Sequence, residues 1–112
     1  VTARTEPPET ITRYLNAHRA RHTDIAIGTF ADDATVIDDG NTYTGSAAIR
    51  EWLAHAANEY TYTVELTGAE RVDDATFVVT NHLEGDFPGG VVDLRYRFTL
   101  RDGLIERLTI EP

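Results

Sequence analysis

The chain has 112 residues, 41% of them hydrophobic and 26% charged, which suits a single globular domain and argues against disorder. Its formal net charge is −9, from 10 basic and 19 acidic residues, so nucleic acid and anionic membranes are poor partners. Cysteine is absent, which excludes disulfides, thiolate metal sites and cysteine nucleophiles.

No apolar run approaches the roughly 18 residues of a membrane helix. Residues 1–9 are polar with two prolines, unlike a signal peptide. The expectation is a soluble, cytoplasmic protein with one domain over residues 1–112. All ten basic residues are arginine, a bias that suits a GC-rich genome or a salt-adapted organism.

In chain order, Thr5-Glu6-Pro7-Pro8-Glu9 reads as a helix start, with a capping hydroxyl, prolines in the first turn and acids near the positive end. Ile11, Tyr14, Leu15 and His18 follow at helical spacing, so a helix is expected to about residue 22. Thr23-Asp24 caps a short second helix that ends near Phe30. Asp32-Asp33 reads as a solvated turn. Residues 35–38 form a short β-rich run, and Asp39-Gly40-Asn41 a hairpin turn. Gly45-Ser46 stops that arm and caps a third helix to about Asn58, with Ile49, Trp52, Leu53 and Ala56 on its apolar face.

The second half reads as strands over residues 60–72, 75–86, 91–101 and 104–111. Turns fall at Asp73-Asp74, Pro88-Gly89-Gly90 and Asp102-Gly103. Helices followed by a meander predict an α+β fold with a curved antiparallel sheet. Period-two alternation puts Tyr62, Val64 and Leu66 on one face, with Phe77, Val79, Asn81 and Leu83. Val92, Leu94, Tyr96, Phe98 and Leu100 join them, then Leu108 and Ile110. The helices must cover that face.

Ligand sites are apolar hollows with a few polar groups, so inward polar residues matter most. They are Tyr14 and His18 on the first helix and Asn81 and Tyr96 on the sheet. Asp38 shares a strand face with Val36, but Ile37 competes for the inside and alternation leaves that open. Each also has an ordinary structural use: a packed phenol, a core histidine, a turn aspartate. His22 and His55 read as surface helix residues, and His82 alternates outward. Arg95, Arg97 and Arg101 form an outward stripe suited to facing acids on neighbouring strands. No metal-ligand spacing, phosphate loop or Ser/His/Asp motif is present, so neither metal nor cofactor is expected.

The stretches Thr12-Arg13-Tyr14, Phe30-Ala31-Asp32-Asp33-Ala34-Thr35-Val36, Gly45-Ser46-Ala47-Ala48-Ile49-Arg50-Glu51 and Val64-Glu65-Leu66-Thr67 resemble ketosteroid isomerase. More broadly, nearly the whole chain resembles the nuclear transport factor 2-like superfamily, with its cystatin-like cone and its SnoaL-like polyketide cyclases. The resemblance implies a pocket at the wide end of the cone. It implies proton transfer next to a ketone, with an aspartate base and two acidic hydroxyl donors. Tyr14 falls on the tyrosine donor and Asp38 on the base. Tyr96 stands where the family has a protonated aspartic acid, which is the main departure. Trp52, Asn81 and Phe98 fall on pocket-wall positions, Phe30 is counted with them, and His18 is placed to orient a substrate.

The resemblance therefore implies an isomerase-like or cyclase-like enzyme acting on a small hydrophobic substrate. The alternatives are a non-catalytic ligand-binding or dimerising module, or a different enzyme such as a dehydratase with His18 as base. A homodimer through the outer sheet face, carrying Val78, Thr80 and His82, is expected in any of these cases.

Overall fold

The computed structural model describes residues 8–20, 22–38, 40–59 and 62–112, with the side chains of 56–59 excepted. Thr5, Glu6, Pro7, Asp39, Tyr60 and the Ala56 side chain, all used in the sequence reading, lie outside the described residues.

Helix α1 spans Glu9–Arg19. Pro8 precedes it with φ −55°, a geometry that its ring presets for helix entry. Arg13 pairs with Glu9 one turn back at 3.0 Å. Ile11, Tyr14 and Ala17 are its buried stripe. The helix stops before residue 22, because the Ala20 amide closes back on Asn16 and that of His22 reaches Ala17 at 2.8 Å. Helix α2 is a short Thr23–Ile27 segment entered from His22, with no side-chain cap.

Strand β1 spans Phe30–Asp38, and β2 spans Asn41–Thr44. Asp32 and Asp33 are therefore inside a strand, not in a turn. The register with the neighbouring strand slips between Phe30 and Thr35, and this irregularity lets both aspartates point to solvent without ending the strand. Arg101 bridges Asp33 and Glu106.

Gly45, at φ +88°, takes a left-handed conformation that a Cβ would strain. It turns the chain into α3, Ser46–Glu59. Ser46 is the first residue of that helix, and its hydroxyl donates to the Asp32 carbonyl at 3.4 Å. Ile49, Trp52 and Leu53 are buried.

The rest is β3 Tyr62–Arg71, β4 Thr76–Gly85, β5 Val91–Arg101 and β6 Leu104–Glu111. Asp102 and Gly103 both have positive φ, as a tight two-residue hairpin loop requires. One six-stranded sheet forms in the order β2-β1-β6-β5-β4-β3. All pairings are antiparallel except β1 with β6, which is parallel.

Two further irregularities curve the sheet. The β3–β4 register slips between Leu66 and Gly68, and the β5–β6 register between Thr99 and Leu100. An extra residue bends its strand and shifts the inward parity. That is why Leu66 and Ala69, and likewise Ile105 and Leu108, all reach the same core.

The core lies between the concave face and the helices. Val36, Val79, Phe98, Ile105 and Leu108 on the sheet pack with Ile11, Tyr14, Ile49 and Leu53 on the helices. No described helix is long and apolar enough to cross a membrane.

Candidate active site

One end of the curved sheet is not filled by the helices. There the start of β3, the end of β4, the start of β5 and the ends of β6 and β1 enclose a cavity of about 630 Å³. Leu83, Val92, Leu94 and Ile110 supply apolar walls, and Phe87 and Pro88 of the β4–β5 turn form part of the rim. Five side chains with acid–base chemistry line it: His18, Asp38, Tyr62, Tyr96 and, paired with Arg95 at 3.8 Å, Glu111.

Asp38 is the last residue of β1. Val36, two residues earlier, is fully buried, and alternation carries Asp38 to the same side. Its Oδ2 accepts a hydrogen bond from Trp52 Nε1 at 3.0 Å. The indole is itself pinned by Tyr43 of β2, with ring centroids 6.2 Å apart. A carboxylate at a strand end is thus tied to the middle of α3, which settles its direction into the cavity. Ile37 is half-buried on the other side.

Tyr96, on the central strand β5, is buried at 4% exposure and lines the cavity. Burial pushes its phenol well above the usual range, and the neighbouring Tyr62 and Asp38 push it further. It is a neutral hydroxyl at any physiological pH, hence a hydrogen-bond donor. His18 and Tyr62 form a pair, with Nε2 and the phenol oxygen 3.1 Å apart. Burial lowers the His18 pKa from its ordinary 6.5, so its imidazole is neutral at pH 7.

Tyr14 behaves differently from the sequence expectation. It is fully buried but does not line the cavity. Its ring stacks on His18 at 5.9 Å and meets Phe30 and Phe98 edge-on at 5.4 and 5.7 Å. Its hydroxyl has no hydrogen-bond partner among the described residues. Burial raises its pKa most, followed by Tyr96, Tyr62 and Asp38, all three of them cavity groups. Tyr14 thus packs behind the polar end of the site.

Of the residues singled out from sequence, His18, Asp38, Trp52 and Tyr96 meet in the cavity. Phe30 and Phe98 support Tyr14 instead. Asn81 is buried at 1% exposure beside the cavity residues Leu83 and Leu94, yet is not itself on the wall. Its amide nitrogen and oxygen find no partner among the described residues. Tyr62 is a polar cavity residue absent from the inward polar set read from the sequence. The signal was present, because the alternation that turns Val64 and Leu66 inward turns Tyr62 inward too. His82 faces outward as expected, between Asp93 at 2.6 Å and Glu84 at 3.1 Å. Among the described residues no group of three metal-ligating side chains forms.

A family model described as a SnoaL-like domain matches residues 11–108. The crystal structure of a candidate polyketide cyclase from Sinorhizobium meliloti superposes with a TM-score of 0.88 at 36% identity, over 94% of this chain and 95% of that one. A Catenulispora acidiphila protein with a ketosteroid isomerase-like fold, in complex with trimethylamine, gives a TM-score of 0.83 at 22% identity, covering 96% and 87%. A Mycobacterium tuberculosis protein in complex with estradiol-17β-hemisuccinate gives 0.77 at 15% identity, covering 92% and 90%. The last two show likeness of fold alone. No curated protein matches the chain.

Proposed function

The chain belongs to the SnoaL-like domain family, and from that premise we propose that it is a cofactor-independent enzyme of proton transfer next to a carbonyl. The substrate is a small, mainly hydrophobic ketone, and the reaction is of the isomerase or cyclase type. The observation that carries this reading is the Asp38 carboxylate, held by Trp52 Nε1 in the same apolar-walled cavity as the Tyr96 phenol.

The chemistry follows from those two groups. Asp38 removes a proton from the carbon beside the carbonyl. Negative charge then builds on the carbonyl oxygen, where a preplaced donor is worth most. Tyr96, the buried phenol on the central strand of the cavity wall, takes that role, in place of the acid that the family resemblance implies there. Tyr14 supports the site from behind. Leu83, Leu94 and Ile110 exclude water from the carbon skeleton.

The test is conversion of a β,γ-unsaturated 3-ketosteroid, followed by absorbance of the conjugated product. Beside it runs deuterium exchange of 4-phenylbutan-2-one in D2O, followed by NMR. Exchange that vanishes in Asp38→Asn supports the reading. Exchange equal in wild type and Asp38→Asn sinks it, and wild-type exchange no faster than the uncatalysed rate leaves a ligand-binding module. That second reading is favoured by one observation, that the Tyr14 hydroxyl does not line the cavity.

A homodimer through the outer sheet face goes with either reading. The cross-strand row Glu65–His82–Asp93 puts two acids at one end of that face, and the row Glu70–Val78–Arg97, with Arg107 nearby, puts two arginines and one acid at the other. A two-fold axis would set the acidic end of one copy on the basic end of the other.

A further inference from the structure

The cavity holds one more acid–base pair than a simple proton shift requires. Moving a proton between two carbons uses one base and one donor to the carbonyl oxygen. Those are Asp38 and Tyr96. The His18–Tyr62 pair, with its 3.1 Å contact, is idle in that scheme although both side chains line the cavity.

Its position is informative. Asp38 sits on β1 and Tyr62 on β3, with β6, β5 and β4 between them. Four strand steps of about 4.8 Å would hold them about 19 Å apart across a flat sheet. Curvature brings both to one cavity, and Tyr96 on β5 lies between them in the strand order. Its phenol responds to both neighbours, Tyr62 before Asp38. The arrangement is a base at one side, an oxygen donor in the middle and a second acid at the other side.

We propose that this cavity dehydrates β-hydroxy ketones, with Tyr62, backed by His18, protonating the departing hydroxyl. The proposal rests on the proton-transfer reading above and names its substrate class. Asp38 takes the proton on the carbon between carbonyl and carbinol. The C–H electron pair becomes the new carbon–carbon double bond by way of the enolate, whose oxygen Tyr96 holds. The C–O bond of the carbinol breaks, its electron pair stays on oxygen, and the Tyr62 proton completes a water molecule. Hydroxide is a poor leaving group, so an acid at this point has a purpose that isomerisation does not supply. His18, neutral and carrying its proton on Nε2, donates to the Tyr62 oxygen and stabilises the phenolate as it forms. Solvent returns a proton to Tyr62 and removes one from Asp38. The net change is a hydroxy ketone to an enone and water.

The probe is 4-hydroxy-4-phenylbutan-2-one, whose dehydration product is a conjugated enone read by ultraviolet absorbance. Deuterium exchange of 4-phenylbutan-2-one runs in parallel, since it needs the base but no leaving-group acid. Wild type is expected to do both. Tyr62→Phe is expected to lower elimination by about 100-fold or more beyond any change in exchange. As a positioning residue, His18 is expected to be rescued by His18→Gln, which keeps an N–H donor, and not by His18→Leu. Wild type that exchanges without eliminating overturns the proposal and leaves the proton-transfer reading intact. So does Tyr62→Phe eliminating at the wild-type rate. Equal loss of exchange and elimination in Tyr62→Phe would assign that residue a structural role and overturn the proposal as well. Absence of both activities in wild type removes both readings together.

Discussion

Trp52 Nε1 lies 3.0 Å from Asp38 Oδ2 and joins the middle of α3 to the last residue of β1. An indole nitrogen can only donate, so the carboxyl oxygen is the acceptor and the contact fixes its orientation. Trp52→Phe keeps an aromatic ring and removes the donor. The variant is expected to lose about 1.5–3 kcal/mol, the usual worth of a hydrogen bond to a charged group. A larger proportional loss is expected in kcat for ketone exchange than in stability. Urea unfolding and exchange kinetics on the same preparation separate the two effects.

Asp38→Asn is nearly isosteric and can still accept from Trp52 through its amide oxygen. Proton exchange is expected to fall by about 100- to 10,000-fold, the range for loss of a general base. The circular dichroism spectrum and unfolding midpoint are expected to stay close to wild type. Collapse of the fold together with activity would mark Asp38 as a structural residue.

Tyr14→Phe and Tyr96→Phe are expected to diverge. The Tyr14 hydroxyl is fully buried without a partner among the described residues, and such a group costs about 1–3 kcal/mol. Its removal is expected to leave stability equal or higher and activity little changed. Removal of the Tyr96 hydroxyl is expected to cost about 100-fold or more in kcat, as for an oxyanion donor. Measured kcat values in the reverse order would return the donor role to Tyr14.

Two histidines give opposite pH dependences of stability. Burial lowers the His18 pKa in the folded protein, so the unfolded chain binds that proton more readily. Stability is therefore lost as pH falls below the ordinary histidine value of about 6.5. His82 has a raised pKa, chiefly through its hydrogen bond to Asp93. Its contribution is present below about 6.5 and fades as pH rises through the folded value. The urea midpoint of wild type is expected to drop between about pH 7 and pH 5, less in His18→Gln and more in His82→Gln. Identical drops in all three proteins would contradict the assignment.

For the outer face, sedimentation is expected to give twice the 12.5 kDa chain mass. Arg97→Glu should shift the protein toward monomer, because it puts like charge against the acidic end of the partner copy. Restoration by raised salt would support charge pairing, and a monomeric wild type would reject the interface.

Much of this molecule was legible before its structure. Alternation in β3 to β6 assigned the inward faces, because one side of the sheet is buried and a one-residue slip would reverse every side chain. Turn chemistry at Asp73-Asp74, Pro88-Gly89-Gly90 and Asp102-Gly103 located the hairpins. The same turn logic failed at Asp32-Asp33, where paired acids read as a loop but ride on an irregular strand. Polar residues mark solvent exposure, and exposure is shared by turns and by bulged strands.

Asp38 was marked only by the family resemblance, but the sequence by itself determined the fold class, the concave face and the inward positions of Tyr14, His18, Tyr62 and Tyr96. Those follow from local periodicity, which is a property of the chain. The tertiary structure alone decided which of them share a cavity. Asp38 turns inward because Trp52, on another element, donates to it. Tyr14 falls behind the wall because Phe30, Phe98 and His18 close around its ring. Tyr62 meets His18 across 44 residues because bulges curve the sheet far enough to bring β3 to α1. Contacts of that kind depend on curvature and packing summed over the whole domain, and no local pattern encodes them.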